Sequence, residues 1–148
     1  WTFLLAFIAL VTLGFWLLLE RLGWWPAESE LIRLLLPETN KEKLWAVLLV
    51  APTAAFCEEF LYRGFLLAQL SQWLGSGVWA LVLSSVAFAL AHAYQGPSGM
   101  VRVGLLGALL AYPVLRLGTL YPSMAAHFLI DAVALVWLGP RFVERKTP

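Results

Sequence analysis

The first nineteen residues, Trp1 to Leu19, contain no charged side chain. At about 1.5 Å of rise per residue, a helix of this length nearly crosses a hydrocarbon layer of about 30 Å. The run has neither the basic start nor the small-residue cleavage site of a signal peptide, so we interpret it as a spanning helix. Because the sequence does not begin with methionine, we expect a fragment or a processed core of a longer protein.

The composition extends this interpretation to the whole chain. Hydrophobic residues make up 61% of the 148 residues and charged residues 13%, whereas soluble domains have about 45–50% and about 25%. Turn signals and charge clusters separate five apolar helices, predicted at residues 1–19, 44–70, 77–94, 101–117 and 121–138. The predicted fold class is all-α, a polytopic membrane helix bundle with about five transmembrane helices.

The first loop carries the sequence ESELIRLLL, residues 28–36, which we interpret as a short interfacial helix. A plain connector is the alternative.

On the fourth predicted helix, Gly104 and Ala108, and likewise Gly107 and Ala111, repeat at four-residue spacing. Such a small-residue face predicts close packing against a neighbouring helix.

Charge gives a predicted topology and excludes one class of partner. The net charge is +1, so nothing indicates a basic nucleic-acid surface. If the loops alternate sides, most basic residues fall on one side, which the positive-inside rule makes cytoplasmic, together with the C-terminus. These residues are Arg21, Arg33, Lys41, Lys43, Arg102, Arg141, Arg145 and Lys146, and Arg116 lies near the other side. The sequence does not determine the oligomeric state.

Charged residues also interrupt an apolar run, in the sequence FCEEFLYRGF at residues 56–65. Each such residue at the centre of a spanning helix costs about 2.5–3.5 kcal/mol. Glu59 and Arg63 are four residues apart with the glutamate first, the favourable order for an ion pair on a helix. Glu58 lies about 100° around the helix and is less directly paired. A carboxylate in such an apolar cavity is suited to act as a general base.

The two histidines lie in apolar helices beside informative neighbours. Phe88 and His92 share one helical face, and so do His127 and Asp131. With Glu58, these groups predict one polar site formed by three helices, although a lone intramembrane histidine is often only a packing residue. Counted from the predicted helix starts, His92 lies about 22 Å deep and His127 about 9 Å, a difference that a shared site has to reconcile.

Water is the natural nucleophile for such a site, because no Ser or Cys is obviously paired with a base. Glu58 and His92 could take its proton while His127 stabilises charge on a carbonyl oxygen, which is peptide hydrolysis. Zinc or another divalent metal held by Glu58, His92, His127 and Asp131 is the alternative, although the HExxH pattern is absent.

The single cysteine, Cys57, excludes a disulfide within the chain and a CxxC zinc site. As a thiol nucleophile it has no partner fixed by the sequence.

Three motifs carry a family resemblance. EEFLYR at 58–63, FALAH at 88–92 and HFLID at 127–131 match EExxxR, FxxxH and HxxxN/D, in the order of the CPBP family of CAAX-processing and bacteriocin-processing intramembrane proteases, also called the Abi domain. The resemblance implies an all-helical membrane endopeptidase in which Glu58 and His92 activate water. It further implies that His127 and Asp131 form the oxyanion site, with Glu59, Arg63 and Phe88 in support.

The resemblance also divides the chain and suggests its substrate. Residues 1–43 would be the first transmembrane helix and a surface loop, 44–138 the catalytic core, and 139–148 a basic tail. The expected partners are the lipid bilayer and a membrane-associated peptide, prenylated or carrying a leader, with no metal favoured. We expect a bacterial inner membrane, since the chain resembles the compact prokaryotic branch. The alternative function is a non-catalytic scaffold, immunity factor or small transporter that uses the same buried charges.

One position departs from the family pattern. The CAAX-processing members typically end the last motif in asparagine, whereas this chain has Asp131. An ionised aspartate accepts hydrogen bonds but cannot donate one to an oxyanion. Asp131 would therefore be protonated, orient His127 or favour a metal.

Overall fold

The protein, in a computed structural model, is a bundle of five helices, described here for residues 1–24 and 29–138. The described ranges contain no β-strand, which confirms the all-α fold class. The helices are α1 (Thr2–Arg21), α2 (Asn40–Leu74), α3 (Gly77–Ala91), α4 (Gly96–Leu117) and α5 (Tyr121–Val133), which continues as a π-helical turn, Ala134–Leu138. Short 3₁₀ helices at Glu30–Leu35 and Ala93–Gln95 precede α2 and α4.

The predicted boundaries are close at α1, α3 and α5, while α2 is longer at both ends and α4 begins at Gly96, not at residue 101. The first loop carries a six-residue 3₁₀ helix where the sequence predicted a surface helix. Nucleation of an α-helix is costly in so short a segment, and Pro37 disfavours the helical conformation of the residue before it. The predicted tail, residues 139–148, lies outside the described residues, with its basic residues Arg141, Arg145 and Lys146.

Local sequence explains where α2 begins and ends. The hydroxyl of Thr39 accepts a hydrogen bond from the backbone N–H of Glu42 at 3.2 Å, and the Glu42 carboxylate accepts one from the backbone N–H of Thr39. This reciprocal cap satisfies N–H groups that the first helical turn leaves unpaired. At the other end Gly75 adopts a left-handed conformation with φ of +60°, which a residue with a side chain adopts only with strain.

Two π-helical turns interrupt α2, at Ala46–Val50 and at Phe60–Leu66. The first ends two residues before Pro52, whose ring would clash with a carbonyl oxygen four residues earlier in an ideal α-helix. The second follows Glu59 and carries Arg63. Turns of this type often occur at functional sites, and this one begins within the charged motif.

The largest apolar core holds α1 against α4 and α5. Its buried side chains include Leu5, Ala6, Ala9, Leu13, Leu17, Leu106, Leu110, Ala126 and Ile130. Ala126 and Ile130 lie on either side of His127 in the sequence, so α1 supports the helix that carries this histidine. The middle of α2 packs against α5 as well, and α3 packs against α4 and the last part of α2.

The predicted small-residue face of α4 packs closely against α3. A Cβ atom at Gly104 would lie 3.2 Å from the Cβ of Ala89, and one at Gly107 would lie 3.1 Å from Cδ1 of Phe88. Contacts this short leave little room for a side chain at either position. The predicted packing role is thus confirmed.

In the part of the chain that the structure describes, three helical segments are long and apolar enough to cross a bilayer: α1, α2 and Ala93–Leu117, which includes α4. The other two are shorter apolar helices, Gly77–Ala91 and Tyr121–Trp137. Together they agree with the membrane helix bundle expected from the sequence.

Candidate active site

A fully buried ion pair lies at the centre of the bundle. Glu59 has 0% of its surface exposed and Arg63 has 2%. Nη1 of Arg63 is 3.0 Å from Oε1 of Glu59, which confirms the ion pair predicted from their spacing. Nη2 of Arg63 donates to the carbonyl oxygen of Gly107 at 3.1 Å, and the guanidinium carbon lies 4.3 Å from the ring centre of Phe88. Arg63 therefore joins α2 to α3 and α4.

His127 is held by the same glutamate. Its Nδ1 lies 2.8 Å from Oε1 of Glu59. A carboxylate paired with an arginine is ionised and can only accept, so Nδ1 of His127 carries a proton and donates it. The second nitrogen, Nε2, lies 3.4 Å from Oδ2 of Asp131 and 3.8 Å from Oε2 of Glu58. Glu59 thus fixes the direction in which His127 presents Nε2.

His92 lies at the C-terminal end of α3, and its Nε2 faces the carboxylate of Glu58. Its Nδ1 lies 2.8 Å from the carbonyl oxygen of Phe88. A carbonyl oxygen can only accept, so this nitrogen carries a proton, and in the neutral ring Nε2 has the free lone pair. Nε2 of His92 is 3.8 Å from Oε2 of Glu58.

Glu58 therefore lies between two imidazoles at equal distance. A separation of 3.8 Å is too long for a direct hydrogen bond, but it can be bridged by a water molecule or a small polar group. The side chains of Glu58 and Asp131 are 30% and 28% exposed, whereas Glu59 is sealed. The cluster is thus open on the side of Glu58 and closed on the side of the ion pair.

Phe88 is the apolar neighbour shared by these groups. Its ring centre is 4.6 Å from that of His92 and 6.1 Å from that of His127. Tyr62 meets the same ring edge-on at 4.9 Å. With the guanidinium of Arg63 also against the ring, Phe88 fills the space between the three helices.

The predicted depths of the two histidines were counted on the assumption that α3 and α5 start at the same level. A Cβ at Gly77 would lie 3.6 Å from Cδ2 of Leu115, whereas the hydroxyl of Ser123 donates to the carbonyl oxygen of Leu110 at 2.7 Å. Five residues on α4 separate these two contacts, about 7.5 Å along the helix. Ser123 is the third residue of α5, so α5 begins about 4–5 Å deeper along the bundle than α3. The assumption is therefore wrong and accounts for part of the difference.

The structure brings together all seven side chains that the sequence singled out: Glu58, Glu59, Arg63, Phe88, His92, His127 and Asp131. Sequence reasoning missed the bond between Glu59 and His127, which are 68 positions apart. It also missed the carbonyl of Gly107 as an acceptor; Tyr62, which the sequence offered as a cavity or interface residue, packs on Phe88. No sequence signal marks these contacts, because each joins different helices.

Within residues 1–24 and 29–138, no group of three or more His, Cys, Asp and Glu side chains has the arrangement of a metal site. Cys57, next to Glu58, is exposed. The thiol of Cys57 is therefore exposed, whereas the neighbouring carboxylate of Glu58 faces the histidines.

Comparison with known proteins identifies the family. The sequence model of the type II CAAX prenyl endopeptidase Rce1-like family matches residues 40–133, which include α2 to α5 and all three motifs. Searches of curated proteins and of solved structures gave no match. The match covers well over half of the chain and agrees with its apolar helices and with the CPBP resemblance of its motifs. The chain is therefore an integral membrane protein that belongs to the type II CAAX prenyl endopeptidase Rce1-like family of intramembrane proteases.

Proposed function

We propose that this protein hydrolyses a peptide bond of a membrane-associated substrate, using a water molecule activated by Glu58 and His92. The observation that carries this proposal is the pair of atoms formed by Oε2 of Glu58 and Nε2 of His92, 3.8 Å apart. The bond from Nδ1 to the carbonyl oxygen of Phe88 makes Nε2 the basic nitrogen of the neutral ring. A water molecule that lies beside both acceptors can donate one proton to each, and it loses one as it attacks.

His127 is suited to stabilise the charge that develops on the substrate carbonyl oxygen. Oxygens of Glu59, Asp131 and Glu58 lie 2.8, 3.4 and 3.8 Å from its two ring nitrogens. Acceptors on both sides stabilise an imidazolium ion, in which Nε2 also donates. Such a donor, fixed before the reaction, stabilises an oxyanion without reorganisation.

Asp131 then acts on His127 and not directly on the oxyanion. At 3.4 Å from Nε2 its carboxylate is a counter-ion for the imidazolium and favours an Nε2–H group directed into the cluster. An arriving carbonyl oxygen takes over this donor as negative charge develops on it. After attack, the proton held by Glu58 or His92 is delivered to the leaving amine, which completes hydrolysis without a covalent intermediate.

The substrate class follows from the surroundings of the cluster. The open side of Glu58 is set among apolar helices, so a substrate already held in the bilayer reaches it without crossing the bundle. A lipidated peptide, or a leader peptide with an apolar segment, meets this requirement. We propose that the protein lies in a bacterial inner membrane. Its C-terminus would then be on the cytoplasmic side.

Cleavage of defined peptides by the purified protein tests this proposal. The protein in lipid–detergent micelles is incubated with prenylated peptides, leader peptides and their unmodified counterparts, and products are identified by mass spectrometry. Glu58→Gln keeps the size of the side chain but removes the base, so we expect a loss of about 10²–10⁴-fold in kcat. Cys57→Ser at the adjacent position is the matched control and should cleave like wild type. Equal activity of Glu58→Gln and wild type would overturn the catalytic assignment and favour a non-catalytic role.

A metal-independent mechanism is part of the proposal and has its own test. The protein is dialysed against a strong chelator, its metal content is measured by elemental analysis, and cleavage is assayed again. Unchanged kcat in metal-free protein supports activation by Glu58 and His92 alone. Loss of activity that returns with added zinc would replace that mechanism with a metal-assisted one.

A further inference from the structure

The chain turns sharply after His92, and one residue of this turn, Gln95, is bonded through its backbone as well as through its side chain. His92 caps α3, and a single 3₁₀ turn, Ala93–Gln95, leads directly into α4. The backbone N–H of Gln95 donates to the carbonyl oxygen of His92 at 2.9 Å. The carbonyl oxygen of Gln95 accepts from the backbone N–H of Ser29 at 3.2 Å. Both backbone groups of Gln95 are therefore bonded, one of them to His92 itself.

The side chain of Gln95 is bonded at both ends of its amide. Oε1 accepts from Nη2 of Arg102 at 3.3 Å, and Nε2 donates to the hydroxyl of Tyr94 at 3.4 Å. Arg102 is 7% exposed, so this donor is held within the bundle. The ring of Tyr94 lies 5.8 Å from that of His92, centre to centre.

The following helix leaves a space for this side chain. A Cβ atom at Gly99 would lie 2.3 Å from the Cβ and 3.0 Å from Oε1 of Gln95. The first distance is shorter than real Cβ atoms tolerate, so only glycine at 99 allows Gln95 its place. Gly96 has φ of +78° and passes beside Ser29. Gly99 therefore leaves room for the side chain of Gln95, and Gly96 allows the backbone to turn next to it.

The same helix supports both halves of the catalytic cluster. Through Arg102, α4 holds Gln95 and with it the turn that carries His92. Through the carbonyl of Gly107, α4 accepts from Arg63, which pairs with Glu59. The two attachment points are five residues apart on one helix, so α4 sets the distance between His92 and the rest of the cluster.

We propose that Gln95, bonded to Arg102 over Gly99, is a positioning residue that fixes the backbone of His92 so that Nε2 faces Glu58. The inference rests on the proposed function, because the position of His92 matters for rate only if His92 takes part in activating water. Gln95 does not touch the reacting atoms. Its loss therefore lowers the rate of the chemical step and leaves substrate binding unchanged.

Two substitutions at this position separate positioning from simple packing. Gln95→Met keeps the length of the side chain but removes the two hydrogen bonds of its amide group, to Arg102 and Tyr94. We expect kcat to fall about 10-fold to 100-fold with KM within about twofold, since a displacement of about 1 Å can cost about 100-fold in rate. Gln95→Glu keeps an oxygen for Arg102, and we expect its kcat within about threefold of wild type. The exposed Gln72 at the end of α2 provides the matched control, Gln72→Met, with unchanged kcat.

The outcomes are distinguishable in one peptide-cleavage assay that includes His92→Ala. An inactive His92→Ala with wild-type kcat in Gln95→Met overturns the positioning role alone. Full activity of His92→Ala overturns the proposed function as well. A fall in kcat for Gln95→Met that Gln95→Glu does not recover, or one that accompanies an equal rise in KM or a loss of folded protein, also overturns the inference and assigns Gln95 to packing. Loss of kcat that is recovered by glutamate supports it.

Discussion

Replacement of Arg63 by methionine tests the buried ion pair most directly. Glu59 is fully buried, and Arg63 is the cation that lies 3.0 Å from it. Methionine fills much of the same volume but leaves the carboxylate without the guanidinium, so that His127 is the partner that remains to it among the described residues. Removal of one partner of a buried pair destabilises a protein by about 3–5 kcal/mol. The variant also loses the bond to the Gly107 carbonyl, whose acceptor is then left in an apolar environment.

The double variant Glu59→Gln/Arg63→Met supplies the decisive comparison. It removes both charges, and the amide oxygen of glutamine can still accept from Nδ1 of His127. Since replacement of a whole buried pair by neutral groups is often close to neutral, the double variant should recover most of the stability that Arg63→Met loses. We therefore expect a coupling energy of about 2–3 kcal/mol between the two positions, within the range found for residues in direct contact.

Reversible unfolding in mixed micelles, followed by helical circular dichroism, measures these energies. Wild type, each single variant and the double variant complete the cycle. Additive losses, with the double variant less stable than Arg63→Met by the full cost of Glu59→Gln, would refute the reasoning. They would mean that the carboxylate does not depend on the guanidinium in the folded protein.

Three further predictions concern packing and the last motif. Gly107→Ala places a Cβ 3.1 Å from Phe88 and should destabilise by about 1–3 kcal/mol in the same unfolding assay. Gly14→Ala in α1, where a Cβ meets nothing within 4 Å, should instead be neutral or gain up to about 1 kcal/mol; equal effects would contradict the close contact. Asp131→Asn introduces an amide donor and should keep kcat within about tenfold in the peptide assay, whereas inactivity as complete as that of Glu58→Gln would show that the carboxylate is indispensable. Ala9→Leu in the α1 core should lower both stability and kcat, and unchanged kcat with clear destabilisation would show that α1 does not support α5.

The sequence by itself determined the elements and the chemistry available to them. Long apolar runs predict helices in a bilayer because the backbone must satisfy its own hydrogen bonds there. Four-residue spacing is a local property of a helix, so the pairs Glu59 with Arg63, and His127 with Asp131, could be predicted without knowledge of the fold. The ion pair and the approach of Asp131 to His127 at 3.4 Å agree with that spacing.

Only the tertiary structure decided how these local pairs meet. The bond from His127 to Glu59 joins α5 to α2, and the bond from Arg63 to the carbonyl oxygen of Gly107 joins α2 to α4. Helix periodicity states which side chains share a face, but not which faces pack together or at what level each helix begins. Those are set by contacts between helices, such as Ser123 with Leu110, and they decide that Glu58 lies at the same distance from two histidines.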